Sequence, residues 1–130
     1  ATDIDSSALQ HARAGGPYAV DKVKNVSPAL LRRYFRVQDG AYTVIDNLRR
    51  RVTFRSHNLM QDKFESGFDL IVCRNVVIYF SPEIKQRLYH SFCEALRPGA
   101  ILFVGSTEVL SNMSDLGFES AGVSFYRRRG

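Results

Sequence analysis

Four short polar segments in this sequence carry side chains suited to binding a small molecule. They are Asp3-Ile4-Asp5, His57-Asn58-Leu59, Arg74-Asn75 and Gly105-Ser106-Thr107-Glu108. Three of them directly follow a predicted strand, and ligands of parallel sheets sit outside the carboxyl ends of the strands. A carboxylate at such a position commonly accepts hydrogen bonds from ribose hydroxyls. One such segment alone is usually a helix or turn cap, but four on one edge favour a nucleotide-like cofactor site.

Short apolar runs and helix start and stop signals indicate the elements that would position these segments. Phe68–Cys73 is a short apolar run that predicts a strand buried on both faces of a parallel sheet, and Ile101–Val104 is a second one. Between them, Ser81-Pro82 begins a long helix that ends at Arg97-Pro98-Gly99. This strand, helix, strand order predicts an α/β fold with a largely parallel sheet.

The remaining elements are read from turn and cap signals. Asp39-Gly40 lies between two β-prone runs and predicts a tight hairpin. The other predicted elements are helices from Asp5 to Gly15 and from Ser27 to Tyr34, a strand over Arg51–Phe54, and antiparallel strands over Phe118–Ser120 and Ser124–Tyr126. With 130 residues, these elements make one domain of ordinary size.

Composition excludes several classes of protein. No apolar run reaches the roughly 18 residues that a membrane-spanning helix needs, and no secretory signal is visible, so we expect no membrane insertion. The two cysteines, Cys73 and Cys93, lie within apolar patterns and predict buried thiols in a reducing cytoplasm. Together with three histidines, they show no metal-ligand spacing, so we expect no metal site.

The net charge of +5 is unevenly distributed. Residues 32–55 hold seven arginines against two aspartates, residues 127–129 are three arginines, and residues 56–126 are net acidic. Arginine suits the bidentate capture of carboxylates and phosphates, so an acidic partner is one interpretation. A solvated face that keeps the protein soluble is the other. The acidic stretch and the lack of an aromatic–basic signature argue against nucleic acid.

Phe68–Phe80 contains Cys-Arg-Asn-Val-Val-Ile-Tyr-Phe, which resembles the signature of CheR-type chemoreceptor methyltransferases. Other segments that match this family in the expected order are Asp3-Ile4-Asp5, Ser27-Pro28 through Phe35, Asn58-Leu59, Leu96–Gly99 and Gly105–Glu108. The resemblance implies transfer of a methyl group from S-adenosylmethionine to receptor glutamates, leaving S-adenosylhomocysteine. The implied partner is the acidic helical surface of a chemoreceptor's cytoplasmic domain, and the implied location is cytoplasmic.

The same resemblance implies a Rossmann-like class I S-adenosylmethionine-dependent methyltransferase sheet that lacks its first strand and carries a small β-hairpin insertion. Residues 1–130 would then be a partial catalytic domain, a C-terminal fragment of it, and 35–55 an inserted hairpin subdomain. An incomplete sheet leaves apolar strand edges open, so we expect the isolated chain to self-associate and to bind the cofactor poorly. The alternative interpretation is a non-catalytic, truncated interaction or regulatory module.

The resemblance also implies roles for individual residues. Tyr79 would lie near the transferred methyl group as the catalytic residue. The implied cofactor-binding residues are Asp3 at the ribose, Asn58 and Leu59 at the adenine, and Arg74 and Asn75 at the end of a strand. Simpler alternatives stay open: Asp3 as a helix cap, Tyr79 as a core aromatic, and Arg74 as a surface ion pair. The chemistry itself needs no general base, because a glutamate carboxylate is ionised at neutral pH.

Overall fold

The computed structural model describes residues 1–130, and these form two compact units, Ala1–Asn58 and Leu59–Gly130. The elements in chain order are β1 (Thr2–Asp3), α1 (Ser6–Ala14), α2 (Val20–Val23), α3 (Pro28–Tyr34), β2 (Phe35–Gln38), β3 (Ala41–Val44), α4 (Asp46–Arg49), β4 (Arg55–Ser56), β5 (Phe68–Cys73), a 3₁₀ turn (Val77–Tyr79), α5 (Pro82–Ala95), β6 (Leu96–Val104), β7 (Phe118–Gly122) and β8 (Phe125–Arg128). None of the helices is long and apolar enough to span a membrane.

Two helices of the first unit, α1 and α3, begin and end where the sequence predicts, whereas the short helices α2 and α4 were not predicted. Asp5 is the N-cap of α1, with Oδ1 accepting the N–H groups of Ser7 and Ala8, and Gly15 ends the helix at a φ of 73°. Ser27 caps α3 by accepting the N–H of Leu30. Each cap satisfies backbone groups that would otherwise lack a partner.

The first unit contains two small sheets. β1 and β4 are parallel, with Asp3 opposite Ser56. β2 and β3 form the predicted antiparallel hairpin, with Asp39 and Gly40 both at positive φ in its two-residue turn. The strand predicted over Arg51–Phe54 is wrong: the paired residues are Arg55 and Ser56. The extent of the subdomain at 35–55 stays a prediction.

The second unit is built on a four-stranded sheet in the order β5-β6-β8-β7. β5 and β6 are parallel, whereas β6–β8 and β8–β7 are antiparallel. The predicted α/β class and the C-terminal antiparallel strands are therefore confirmed, but this sheet is mixed rather than largely parallel. α5 provides the crossover between the parallel strands and passes directly into β6.

The core of the second unit lies between α5 and the sheet. On α5, Leu88 and Phe92 are almost fully buried. On the sheet, Leu96 is almost fully buried, and Leu102 and Phe118 are completely buried. The buried residues of α5 thus form one apolar face toward the sheet.

One prediction about the sheet is wrong. β5 was predicted to be buried on both faces, yet Leu70 and Val72 are 53% and 58% exposed. The physical reason is that side chains alternate along a strand: Ile71 and Cys73 face the core, so Leu70 and Val72 lie on the opposite face. An apolar run of six residues identifies a strand, but it does not determine whether both faces are covered.

Candidate functional site

The first unit places two predicted site residues at the carboxyl ends of adjacent parallel strands. Asp3 ends β1, and the N–H of His57, just after β4, donates to the Asp3 carbonyl at 3.0 Å. Asn58 is the next residue along the chain. The pairing therefore brings Asp3 and Asn58 to one edge of the β1–β4 sheet, as the sequence predicts.

The carboxylate of Asp3 is exposed and only partly used by the fold. Its Oδ1 accepts the N–H of Asp5 at 3.0 Å, which is a local turn contact. The cap of α1 is supplied by Asp5 instead. Asp3 is therefore not the helix cap, and one of its oxygens remains available for a ligand.

The second unit places another group of polar residues at the ends of β5 and β6. These strands run parallel with Cys73 opposite Val104, so Arg74-Asn75 and Gly105 emerge from the sheet side by side. Asn75 is in the left-handed region at a φ of 59°. A Cβ placed on Gly105 would lie 2.6 Å from the Asn75 Oδ1 atom, so glycine is needed for this approach.

Arg74 does not form the surface ion pair that was considered for it. Its guanidinium carbon lies 4.9 Å from the centroid of the Phe103 ring, within cation–π range. Phe103 in turn stacks on Phe125, with centroids 4.4 Å apart and planes 6° from parallel. The guanidinium thus lies over an aromatic support while its side chain stays exposed at the strand end.

Glu108 is a buried carboxylate that joins the two strand ends. It is 5% exposed, and its oxygens accept four backbone N–H groups. Oε2 accepts from Asn75 at 2.9 Å and from Gly105 at 2.6 Å. Oε1 accepts from Val76 and Val77, both at 3.0 Å. These charge-assisted hydrogen bonds fix the backbone of both loops relative to the sheet.

Tyr79 lies at the end of the 3₁₀ turn that follows this loop, and its side chain is 81% exposed. The alternative that Tyr79 is a core aromatic is therefore wrong. Val77, two residues earlier, is 1% exposed and anchors the turn in the core. The phenol is thus presented to a ligand or partner by a fixed segment of backbone.

Leu59 occupies a different position within the second unit. It packs against the core and lines a cavity of about 450 Å³ between residues 59–66 and α5. The structure groups Asp3 with Asn58 in one unit, and Arg74 with Asn75 and Tyr79 in the other. Leu59 belongs to the second unit but lies on the α5 side of its core.

Two cysteines and one tyrosine of the second unit, Cys73, Cys93 and Tyr89, are kept in their neutral forms. Burial, and secondarily the charge of Glu108, raises the pKa of the Cys73 thiol to about 11. The same two causes raise the pKa of Tyr89. Burial also raises the pKa of Cys93. Because the nucleophilic form of cysteine is the thiolate, these thiols are structural, as the sequence predicts.

Sequence reasoning missed the part that Glu108 plays. The segment Gly105–Glu108 was recognised as polar residues after a strand, but the acid was not assigned a role. The adjacent sequence gives no clear signal of its burial, because the next residue, Val109, is apolar but 71% exposed. Leu110 is 2% exposed, and its N–H donates to the Tyr126 hydroxyl, so the loop turns into the core here.

The polar groups at these strand ends fit the chemistry of S-adenosylmethionine. The open carboxylate oxygen of Asp3 suits a ribose hydroxyl, and the amide of Asn58 suits a polar ring edge. The guanidinium of Arg74 suits a carboxylate such as that of the methionine part.

Comparison with known proteins identifies the relatives of this chain. The family model described as "CheR methyltransferase, SAM binding domain" matches residues 1–125. A chemotaxis protein methyltransferase of Listeria monocytogenes is 37% identical over 97% of this chain and 48% of the relative. Another, of Vibrio parahaemolyticus, is 41% identical over 88% of this chain and 42% of the relative.

The chain thus spans about half the length of the curated relatives that it matches. Among solved structures, a possible exported protein from Bordetella parapertussis is similar at a TM-score of 0.58 and 13% identity. That likeness covers 99% of this chain and 52% of the other, and it concerns the fold alone.

Proposed function

This chain belongs to the CheR methyltransferase family, whose matched domain binds S-adenosylmethionine, and on that premise we propose that it forms part of a chemotaxis protein-glutamate O-methyltransferase. The observation that carries the proposal is the arrangement at the end of β5. There Arg74 and Asn75 are held at the carboxyl edge beside Gly105, where an α/β sheet binds its ligand. The complete activity would belong to a polypeptide of the relatives' length.

Five residues bind the cofactor in this proposal. Asp3 accepts hydrogen bonds from the ribose, and Asn58 with Leu59 contacts the adenine. Arg74 and Asn75 hold the amino-acid end. The exposure of Asp3, Arg74 and Asn75 supports these roles, because a side chain must be accessible to take a ligand. Bound S-adenosylmethionine supplies a methyl group on a sulfonium centre, which is an electrophile.

The residues of this chain contribute binding and orientation to the transfer. A substrate glutamate has a reference pKa of about 4.3, so its carboxylate is ionised before it arrives. No proton has to be removed, and the rate gain comes from alignment and exclusion of water. Tyr79, exposed at the end of a fixed turn, is placed to orient one reactant through its hydroxyl.

We propose the acidic helical surface of a chemoreceptor's cytoplasmic domain as the substrate. Support comes from the arginines at the base of the hairpin, because Arg32, Arg33 and Arg36 are all exposed. The tail arginines contribute less, since Arg127 pairs with Glu119 and Arg128 donates to the carbonyl of Leu96. The positive charge available to an acidic partner is therefore mainly that of the three exposed arginines at the base of the hairpin.

The non-catalytic alternative is favoured by a specific observation, the exposed β5 edge with Leu70 and Val72. A sheet edge of this kind pairs readily with another strand. In a chain that lacks the rest of the enzyme, such pairing would produce self-association without cofactor binding. The two functions therefore differ in whether the protein binds S-adenosylhomocysteine and transfers a methyl group.

The test is calorimetry with S-adenosylhomocysteine, on this chain and on a protein of the relatives' length, alongside methyl transfer to a receptor fragment. Asp3→Ala in the longer protein should weaken binding about 5- to 150-fold, which corresponds to about 1–3 kcal/mol for an unpaired polar group. The control is Ser27→Ala. It removes the cap of α3, so it should lower the melting temperature and leave affinity per folded molecule unchanged.

Two outcomes would contradict the proposal. A longer protein that neither binds S-adenosylhomocysteine nor transfers a methyl group would exclude the enzyme and leave the interaction module. An Asp3→Ala variant with unchanged affinity would remove Asp3 from the site and leave the enzyme standing.

A further inference from the structure

Glu108 is a buried charge that the proposed chemistry does not use. Its four backbone hydrogen bonds occupy both carboxylate oxygens, and the residue is 5% exposed. A carboxylate sealed in this way touches neither cofactor nor substrate. It therefore needs a role other than that of a catalytic base, and the pattern of its bonds indicates which.

The bonds of Glu108 are concentrated on one short segment. Three of the four donors are consecutive N–H groups, those of Asn75, Val76 and Val77. Such a run of donors converging on one anion requires a particular backbone path, here with Asn75 at a φ of 59°. The left-handed region is unfavourable for a residue other than glycine, so the carboxylate stabilises a conformation that the segment would otherwise lose.

The fourth donor joins this segment to the neighbouring strand. The N–H of Gly105, just after β6, donates to the same Oε2 atom that accepts from Asn75. The ends of two parallel strands are thereby held at a fixed separation. A side chain at Gly105 would collide with both Asn75 and Glu108, so the contact depends on the bare backbone there.

We infer that Glu108 is a positioning residue for methyl transfer: its carboxylate holds the backbone from Asn75 to Val77 so that Arg74, Asn75 and Tyr79 face the reactants. The inference rests on the proposed function. Arg74 immediately precedes the bonded segment, and Tyr79 lies two residues beyond it. If the hydrogen bonds to the Glu108 carboxylate were lost, the backbone from Asn75 to Val77 would be free to move, and Arg74 and Tyr79 would move with it.

The test is Glu108→Gln in the intact enzyme. Glutamine has the same size but one acceptor oxygen, so its amide group would face two N–H donors that it cannot bond. We expect amide hydrogen exchange to accelerate at Asn75–Val77 and Gly105. We also expect S-adenosylhomocysteine affinity and kcat/KM, per folded molecule, to fall at least 10-fold. Glu94→Gln, at an exposed position on α5, is the matched control. It should leave the amide exchange of these loops, the S-adenosylhomocysteine affinity and kcat/KM unchanged.

A purely structural role would lower the melting temperature without changing the kinetic constants of the folded fraction. That result for Glu108→Gln would overturn the inference. Glu108→Asp is the second variant, because it keeps the charge but is one methylene shorter and cannot reach both loops. If neither variant folded, the role would be structural only and the inference wrong. An inactive parent enzyme would instead contradict the proposed function, so the two failures are distinguishable.

Discussion

Gly105 gives a sharp stability prediction, because a single added methyl group would meet a carboxylate oxygen that two hydrogen bonds hold in place. A Cβ at this position would lie 2.6 Å from Oε2 of Glu108 and 2.6 Å from Oδ1 of Asn75. The Asn75 side chain is exposed and can rotate away. Oε2 of Glu108 cannot, because it is held by two N–H groups at 2.9 and 2.6 Å.

The magnitude follows from those two bonds. A hydrogen bond to a charged group contributes about 1.5–3 kcal/mol, so displacing Oε2 costs at most about 3–6 kcal/mol. Alanine also restricts the unfolded chain relative to glycine, which returns about 0.4–1 kcal/mol. Allowing for partial relaxation, we expect Gly105→Ala to lower the free energy of unfolding by about 2–4 kcal/mol.

Urea denaturation monitored by circular dichroism measures this loss. Gly99→Ala is the matched control: its Cβ would meet open space, and its φ of 80° costs only the backbone term of about 1–2 kcal/mol. We expect Gly105→Ala to be the more destabilising of the two, with faster amide exchange at Asn75 and Val76. A Gly105→Ala chain as stable as the wild type would refute the packing argument.

Three further predictions follow from other features. Tyr79→Phe should lower kcat in the intact enzyme, because it removes the hydroxyl that is proposed to orient a reactant. It should leave the melting temperature unchanged, because the side chain is 81% exposed. A variant that unfolds but keeps its turnover per folded molecule would contradict this prediction. With its pKa raised from 9.0 to about 11, Cys73 should react with a thiol reagent at pH 8 roughly 100-fold more slowly in the folded chain than in urea. Equal labelling rates in the folded and unfolded chain would contradict the burial of Cys73. Because the pKa of Cys73 is higher in the folded chain, the stability that its neutral thiol contributes is complete below pH 9 and is lost as the pH rises through about 11. Light scattering should detect self-association of the isolated chain, and Val72→Lys on β5 should abolish it. If the chain stays monomeric at every concentration, pairing through the β5 edge is excluded.

Local signals in the sequence predicted the fold well. The caps at Asp5 and Ser27 and the turn at Asp39-Gly40 are short-range features, determined by a few neighbouring residues, and all three are confirmed. The strand at Arg51–Phe54 failed because its β-prone residues are outcompeted by a helical turn over Asp46–Arg49 and its continuation. β5 was correctly placed along the chain, but the exposure of its second face depends on what packs there, which the six residues of the strand do not encode.

The candidate site was predicted from two kinds of information. The placement of Arg74 and Asn75 after the predicted strand Phe68–Cys73 is confirmed. Asn58 follows Arg55–Ser56 instead of the predicted strand, and Asp3 ends a two-residue strand that the sequence did not predict. The roles of these residues came from the family resemblance and stay predictions. Glu108 could not be assigned from sequence, because burial of an acid with four amide donors arises only when loops distant along the chain converge.

The strand order β5-β6-β8-β7 has a consequence for biosynthesis. The last strand to be translated, β8, lies between β6 and β7, so the two strands made before it have no direct pairing with each other. While the chain grows on the ribosome, β7 therefore lacks its neighbour until residues 125–128 have emerged. A nascent chain arrested before that point would expose Phe118 and Leu102, both fully buried in the finished unit, to chaperones and proteases. Folding of the second unit therefore has to wait for β8, and truncation before residues 125–128 should yield degraded rather than partly active protein.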